Sequence, residues 1–269
     1  LKIVDRVWTL AALVAGYIYC RIVNIKSYFN KHLLMDKKAA QVTEKAKSIS
    51  LRVIVVLAIF ALFILVLFLI TDRIVLDKET AFDESVFGLF SGFQSPAVTS
   101  IMIFFTFFGS TKFLLPAYVL LSLYFILFKK NTARSLNIAA IGISSGLLLK
   151  VIKNIFQRHR PPHPLIENVG GFSYPSGHSF SSFTFAGVLI YMLWDSSASK
   201  AWKIIGTVTL LLFAALVASS RVYLHVHYAS DVLAGFCLSF VWLTLCIYIL
   251  KKINRKGNIE KTASLQTNR

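Results

Sequence analysis

The sequence predicts an all-α fold: a polytopic membrane helix bundle with six transmembrane helices and a short interfacial helix between the first two. Three observations carry that expectation. First, 56% of the 269 residues are hydrophobic and only 15% are charged, where a soluble domain carries roughly 25% charged residues. Second, the apolar residues gather into runs of about spanning length, separated by polar turns. Third, the net charge of +17 lies between and beyond those runs. Membrane topology places cations there, whereas nucleic-acid binding would place them on a soluble module. The bilayer is therefore an expected partner, and nucleic acid is not.

Residues 1–50 form a basic N-terminal segment. Within it Val7–Cys20 is apolar but shorter than the ~20 residues a spanning helix needs. It reads as an interfacial helix, since no clear small-x-small cleavage site follows to mark a secretory signal. Leu1 in place of Met leaves the natural start open. The membrane domain is expected over 51–250. Val53–Ile70 is the first span, opened by Arg52 and closed by Asp72 and Arg73. Thr71–Ser95 is acidic on balance, with aromatic residues interleaved. Val98–Phe108, ended by Gly109-Ser110-Thr111, is the short interfacial or re-entrant helix. Phe113–Phe128 spans, with Lys112 and Lys129 snorkelling from its ends. Leu136–Ile152 follows, carrying a Gly142/Gly146 face that lets a neighbouring helix approach closely. Ser179–Trp194, Ile204–Ser219 and Val232–Leu250 complete the set, and residues 251–269 form a basic tail, disordered beyond Gly257.

Charge orients the bundle. With the Lys-rich N-terminal segment in the cytoplasm, alternate crossing puts Lys129, Lys130, Arg134, Lys200, Lys203 and the Lys251–Lys256 cluster inside. Asp72–Glu84 then lies outside, as the positive-inside rule demands. Both termini are expected in the cytoplasm. Three polar clusters, Lys153–Pro161, Pro175–His178 and Ser220–Asp231, fall together on the extracytoplasmic side. Ionisable groups where apolar runs end are expensive and mark a functional site.

Lys153 and Arg160 are seven residues apart, so a helix continuing to Pro161 would carry both on one face, two turns apart. Guanidinium and ammonium groups so aimed suit a phosphate; anchoring in the headgroups is the alternative. Ser176 and Gly177 open a helix, where free N–H groups and the helix dipole favour an anion, and His178 reaches the same place. Alternatively, this is an ordinary helix start with a headgroup contact. Arg221 closes the fifth span, and Asp231 follows His227 by four residues. On a helix begun at His227, that carboxylate would hold one imidazole nitrogen and leave the other free as a nucleophile. A His–Asp pair that only stitches two helices is the competing reading. His225 is a rival for His227, but two residues along a helix it points away from Asp231. A zinc site from His159, His163, His225 and His227 lacks regular spacing, because Pro161-Pro162 interrupts it. Cys20, Cys237 and Cys246 form no CxxC pair and read as packing residues.

Taken in order, Lys153/Arg160/Pro161, Pro175–His178 and Ser220/Arg221/His227/Asp231 follow K-x6-RP, PSGH and SR-x5-H-x3-D. In this the chain resembles the type 2 phosphatidic acid phosphatase family, lipid phosphatases that share a core with vanadium haloperoxidases. The resemblance covers roughly residues 51–250. His225 stands where many members have a small residue, and Ala229 where many have proline. It implies a bacterial inner (plasma) membrane phosphatase that needs no cofactor and no metal. His227 would attack phosphorus with Asp231 orienting it. His178 would protonate the leaving oxygen and then activate water. Lys153, Arg160, Arg221, Ser176 and the Gly177 N–H would hold the non-bridging oxygens. The implied partner is a phospholipid or isoprenoid lipid phosphate: phosphatidic acid, phosphatidylglycerol phosphate, a polyprenyl diphosphate or a lipid A phosphate. A compact chain without long luminal insertions favours a bacterial envelope lipid. Transfer of the phosphate to a second lipid uses the same intermediate. A transporter would instead bury charges mid-helix in several spans.

Overall fold

Residues 37–167 and 169–267 are described in the computed structural model of the protein; the expected interfacial helix Val7–Cys20 lies outside them. Among the described residues, eight α-helices and one π-helical segment follow in order. They are α1 (Lys37–Leu69), the π-helical Ile70–Leu76, α2 (Ala81–Ser91), α3 (Pro96–Phe107), α4 (Thr111–Leu127), α5 (Thr132–Phe156), α6 (Gly177–Trp194), α7 (Lys200–Tyr223) and α8 (Ala229–Thr267). The chain divides into two compact units, Leu1–Leu57 and Ala58–Arg269. Residues 37–57 of the first unit are the opening turns of α1. The second unit carries the other helices and every candidate site residue.

Local chemistry explains where the helices start. Side chains of Ser95, Asn131, Ser176 and Ser199 accept from the backbone N–H three residues on, at 3.3, 2.9, 3.4 and 3.4 Å, the usual way to satisfy the open donors of a first turn. Pro96 at the first position of α3 has no N–H to lose.

Four helical stretches among the described residues are long and apolar enough to cross a bilayer: Val53–Leu76, Thr132–Phe156, Lys200–Tyr223 and Ala229–Asn254. The α3–α4 pair, bent by 40°, makes a fifth if counted as one span. The six expected spans are thus met in part. The stretch expected as the span Ser179–Trp194 is α6, 18 residues long, whose first turns are too polar to pass on apolarity. Ser182 and Thr184 donate to the carbonyls of Ser179 and Phe180 at 3.1 and 2.7 Å, so these hydroxyls are satisfied within the helix.

The stretch expected as an interfacial or re-entrant helix is the first arm of the bent pair, the form of a broken span or a re-entrant loop. Ser95 and Thr99 meet the Tyr223 hydroxyl at 3.2 and 3.1 Å. Phe105 and Phe108 pack on Phe213. Hence α3 runs antiparallel along the last turns of α7 rather than across a surface. Gly109-Ser110 makes the elbow, where the sequence reading saw only an end. A short helix does lie between the first two spans, but it is α2, from the stretch read as merely acidic.

Three further expectations need correction. Gln157 adopts a left-handed conformation (φ 46°) and its N–H closes on the Lys153 carbonyl, so α5 ends at Phe156 and Arg160 does not share a helix face with Lys153. Helix α8 starts at Ala229, so His227 precedes it and His227–Asp231 is not a pair on one helix. The tail read as disordered beyond Gly257 continues α8 to Thr267. No proline follows Gly257, and each further helical residue adds a hydrogen bond to an existing helix. Of the Gly142/Gly146 pair, only Gly142 serves as a close contact, 3.2 Å from the Tyr118 ring of α4 if given a Cβ; nothing lies within 4 Å of Gly146.

The bundle is oily outside and partly polar inside. Leu120, Leu147 and Leu212 are exposed, whereas Ser135, Ser179, Ser220 and Ser239 are buried between helices, where small side chains let backbones approach. A Cβ on Gly235 of α8 would lie 2.8 Å from the Ser176 carbonyl oxygen. That approach ties the start of α8 to the start of α6.

Candidate active site

The candidate residues converge at one end of the bundle: the last turn of α5, the loop 157–176, the first turn of α6, the last turn of α7 and the first turn of α8. Helix ends meet there, so their open N–H and carbonyl groups are available to side chains. Lys153 donates from Nζ to the carbonyls of Phe172 and Ser173 at 2.5 and 3.2 Å. Arg160 holds the carbonyls of Gly171, Gly170 and Val226 at 3.0, 2.9 and 2.7 Å. Both cations are thereby aimed by the same glycine-containing loop, although no helix face joins them. Ser176 caps α6 and its own N–H donates to the Asp231 carbonyl at 2.9 Å. Gly177 lies beside Lys153, whose Cε would be 3.9 Å from a Cβ there.

His227 is almost fully buried and its two nitrogens face different groups. Nδ1 lies 3.5 Å from Asp231 Oδ2 and 3.3 Å from Ser173 Oγ. Nε2 lies 3.1 Å from Arg160 Nη1. Nδ1 thus faces an acceptor, which fixes the proton there and leaves the Nε2 lone pair toward Arg160. Burial, only partly offset by Asp231, pushes the imidazole down to about 3, so it is neutral at neutral pH.

His178 packs under the α3–α4 elbow: a Cβ on Gly109 would sit 2.9 Å from its Cδ2 and 2.6 Å from Val217 Cγ1. Only glycine fits between the elbow and the imidazole. Arg221, His227, Arg160 and Lys153 all act on His178 electrostatically. Arg221 is buried, donates from Nη1 to Thr106 Oγ1 at 2.5 Å, and leaves its Nε without a partner among the described residues. The eight residues singled out by sequence are therefore neighbours in space.

Sequence reasoning missed what stands behind His227. Ser173 donates a short hydrogen bond to Asp231 Oδ2, and the Tyr228 N–H reaches the same oxygen at 3.0 Å. Arg158 donates to Asp231 Oδ1 at 2.7 Å, to Asp83 Oδ2 at 2.9 Å and to Ser230 Oγ at 2.8 Å. Its guanidinium also lies 4.0 Å over the Tyr228 ring. Asp83, from α2, accepts from the Ser230 N–H and hydroxyl at 2.8 and 2.7 Å. Against the penalty of burial, Asp231 and Asp83 hold the Arg158 guanidinium above its ordinary value. The available signal was a second arginine two residues before Arg160; nothing local distinguished Asp83 from its acidic neighbours.

His225 lies apart, stacked on Phe87 at 4.7 Å and with Nε2 3.2 Å from Gln94 Nε2. Its left-handed backbone (φ 53°) turns it away from His227. No group of three or more His, Cys, Asp or Glu side chains among the described residues is placed to hold a metal ion, so the four histidines of the zinc alternative are not gathered.

Residues 134–255 match the model of the PAP2 superfamily. Phosphatidylglycerophosphatase B of Bacillus subtilis is 31% identical over 64% of this chain and 85% of its own length. An undecaprenyl-diphosphatase of Sulfolobus acidocaldarius is 27% identical over 69% of this chain and 84% of its own. The crystal structure of a transmembrane PAP2-type phosphatidylglycerolphosphate phosphatase from Bacillus subtilis superposes with a TM-score of 0.66 at 28% identity, covering 72% of this chain and 96% of that one. By its motifs, its fold and these matches together, the chain belongs to the PAP2 superfamily of membrane lipid phosphatases, as an integral multi-pass hydrolase of lipid phosphates.

Proposed function

We propose that the chain removes a phosphate from a bacterial envelope lipid through a phosphohistidine on His227, with phosphatidylglycerol phosphate as the first substrate to test. The observation that carries this is the division of His227: Nδ1 faces Asp231 and Ser173, and Nε2 faces the guanidinium of Arg160. In the first step Nε2 attacks phosphorus, the bond to the lipid oxygen breaks, and His178 gives that oxygen a proton. Asp231 stabilises the positive charge that develops on the ring. Arg160 turns its N–H from Nε2 to a phosphoryl oxygen, and Lys153, Arg221, Ser176 and the Gly177 N–H take up the others. In the second step His178 removes a proton from water, which attacks phosphorus and releases inorganic phosphate from His227.

The named relatives support the substrate class: one is a phosphatidylglycerophosphatase and one an undecaprenyl-diphosphatase. A polyprenyl diphosphate is therefore the second reading, and it uses the same steps with a lipid phosphate as leaving group. Transfer to a second lipid would replace water in the second step. Six spans are part of this reading: α1 with its π-helical end, the α3–α4 pair, α5, α6, α7 and α8. So is an extracytoplasmic active end, because Lys129, Lys130, Lys200, Lys203 and Lys251 stand at the opposite ends of the spans. The charges of the site sit at helix ends rather than mid-span, which speaks against a transport path.

The test is phosphate release in detergent from phosphatidylglycerol phosphate, phosphatidic acid, undecaprenyl diphosphate and lipid A, by the wild type with and without EDTA. His227→Ala and His178→Ala should each abolish release on the preferred lipid, and EDTA should leave the wild type unchanged. Full activity in His227→Ala would remove the phosphohistidine.

A further inference from the structure

The helices that carry the candidate active site at one end carry a second feature at the other. A cavity of about 490 Å³ opens among the start of α5, the end of α6 and the second half of α8. Its lining mixes Arg134, Lys251 and Asn137 with Ile141, Val188 and Leu243. From Arg134 to Lys153 along α5, and from Asp231 to Lys251 along α8, the rise is about 30 Å at 1.5 Å per residue. That is roughly the thickness of the hydrocarbon core. The cavity cations therefore stand in the headgroup layer of the leaflet opposite the active end.

Their surroundings call for an anion. Arg134 uses Nη2 for a close ion pair with Asp195 and lies 5.4 Å over the Phe125 ring. Its other donors have no hydrogen-bond partner among the described residues. Lys251 lies 5.1 Å over the Tyr191 ring and has no carboxylate partner among the described residues. Lys129, Lys130, Lys200, Lys203 and Lys252 stand at the same ends of the spans, and Asp195 is the one acid in residues 124–140, 188–210 and 243–254. The deeper wall is apolar: Ile138, Ile141 and Val188 belong to a buried cluster with Phe125 and Cys246. An anion joined to hydrocarbon matches both parts, and the leaflet itself supplies one. The volume lies within the ~300–1,000 Å³ of ordinary ligand sites. It takes a phosphate, a glycerol and the first methylenes, while the rest of the tails stay in the bilayer.

We infer that this cavity binds an anionic phospholipid of the leaflet opposite the active end, with Arg134 and Lys251 on its phosphate and Val188 and Leu243 on its proximal acyl chains. Among the described residues no histidine, serine, cysteine or carboxylate lines the cavity, so the lipid is a resident and not a substrate. Three of the helices that it touches also frame His227 and His178, and its binding stabilises their packing by linkage.

Native mass spectrometry of the delipidated full chain, titrated with phosphatidylglycerol or phosphatidylcholine, tests this. Phosphatidylglycerol should be retained in preference. Lys251→Gln should weaken retention about fivefold, the contribution of one basic residue beside an anionic headgroup. Lys251 is exposed, so this substitution reads binding on an intact fold. Met192→Trp should fill the cavity and remove the retained lipid. Equal retention of phosphatidylcholine, or retention unchanged by both substitutions, would overturn the site. Displacement by inorganic phosphate would overturn the lipid in favour of a free anion.

Discussion

The two sides of His227 are built differently. On the Nδ1 side every charge has an opposite charge: Asp231 and Asp83 share Arg158. Ser173, Ser230 and the Tyr228 and Ser230 N–H groups take up the remaining carboxylate oxygens. On the Nε2 side Lys153, Arg160 and Arg221 are held by backbone carbonyls and one threonine hydroxyl, and none of them hydrogen-bonds a carboxylate among the described residues. Arg221 even keeps a buried Nε unpaired. Folding alone completes the first side. On the proposed reading, the second takes its counter-charge from the phosphate of the substrate.

Breaking each side should therefore give opposite stability effects. Arg158→Met leaves Asp83 and Asp231 buried without their shared cation, and removing one partner of a buried pair costs about 3–5 kcal/mol. Thermal unfolding in detergent should show that loss, with Arg158→Lys recovering part of it. Arg221→Met should leave the unfolding temperature unchanged or higher, because Arg221 and Arg160 repel one another. Its effect belongs to the reaction: kcat/KM should drop about 10²–10³-fold, the usual result of removing one donor to transition-state charge. Equal destabilisation by both substitutions would erase the distinction between the two sides.

The same contrast explains what could be read from the chain. The Nε2 side was legible because Lys153 and Arg221 end apolar runs and Arg160 follows closely in the polar turn beyond. A cation or an imidazole at such a place is costly enough to be conspicuous in one dimension. On the Nδ1 side only Asp231 was legible, from its spacing to His227. Asp83 is one of several acids between Asp72 and Glu84, and only the packing of α2 against the start of α8 makes it a partner of Arg158 and Ser230. Ser173 is a serine in a loop, visible as a ligand of Asp231 only once that loop has folded back over α8. The spacing arguments named neighbours but misjudged the backbone that joins them. Gln157 ends α5 before Arg160, and Ala229 starts α8 after His227, so loops rather than helix periodicity bring these groups together. The elbow at Gly109 was hidden for a related reason: a short apolar run followed by Gly-Ser reads as a stop, and only contact with His178 and Val217 shows it to be a bend.

Ser173 sharpens the comparison at smaller scale, since it touches both His227 and Asp231 and carries no charge. Ser173→Ala should cost about 1 kcal/mol of stability, one net hydrogen bond. It should lower kcat about tenfold with KM nearly unchanged, because the imidazole keeps Asp231 but loses part of its alignment. A rise in KM with kcat intact would place Ser173 on the phosphate side instead.

Acid gives the gentlest test. An unfolded chain protonates His227 near the ordinary value of 6.5, whereas in the folded protein burial holds the imidazole down to about 3. Between those values the unfolded state binds more protons, so stability falls as pH falls, and the contribution is whole only above about 6.5. The part lost between pH 7 and 6 is under about 1 kcal/mol. The informative quantity is a difference between two proteins that vary at this residue alone. The wild type should lose unfolding temperature more steeply than His227→Gln as the pH is lowered from 7 to 5, since glutamine takes up no proton in either state. Parallel slopes would mean that His227 is already protonated when folded, with both nitrogens occupied by protons, and the Nε2 lone pair facing Arg160 would not exist.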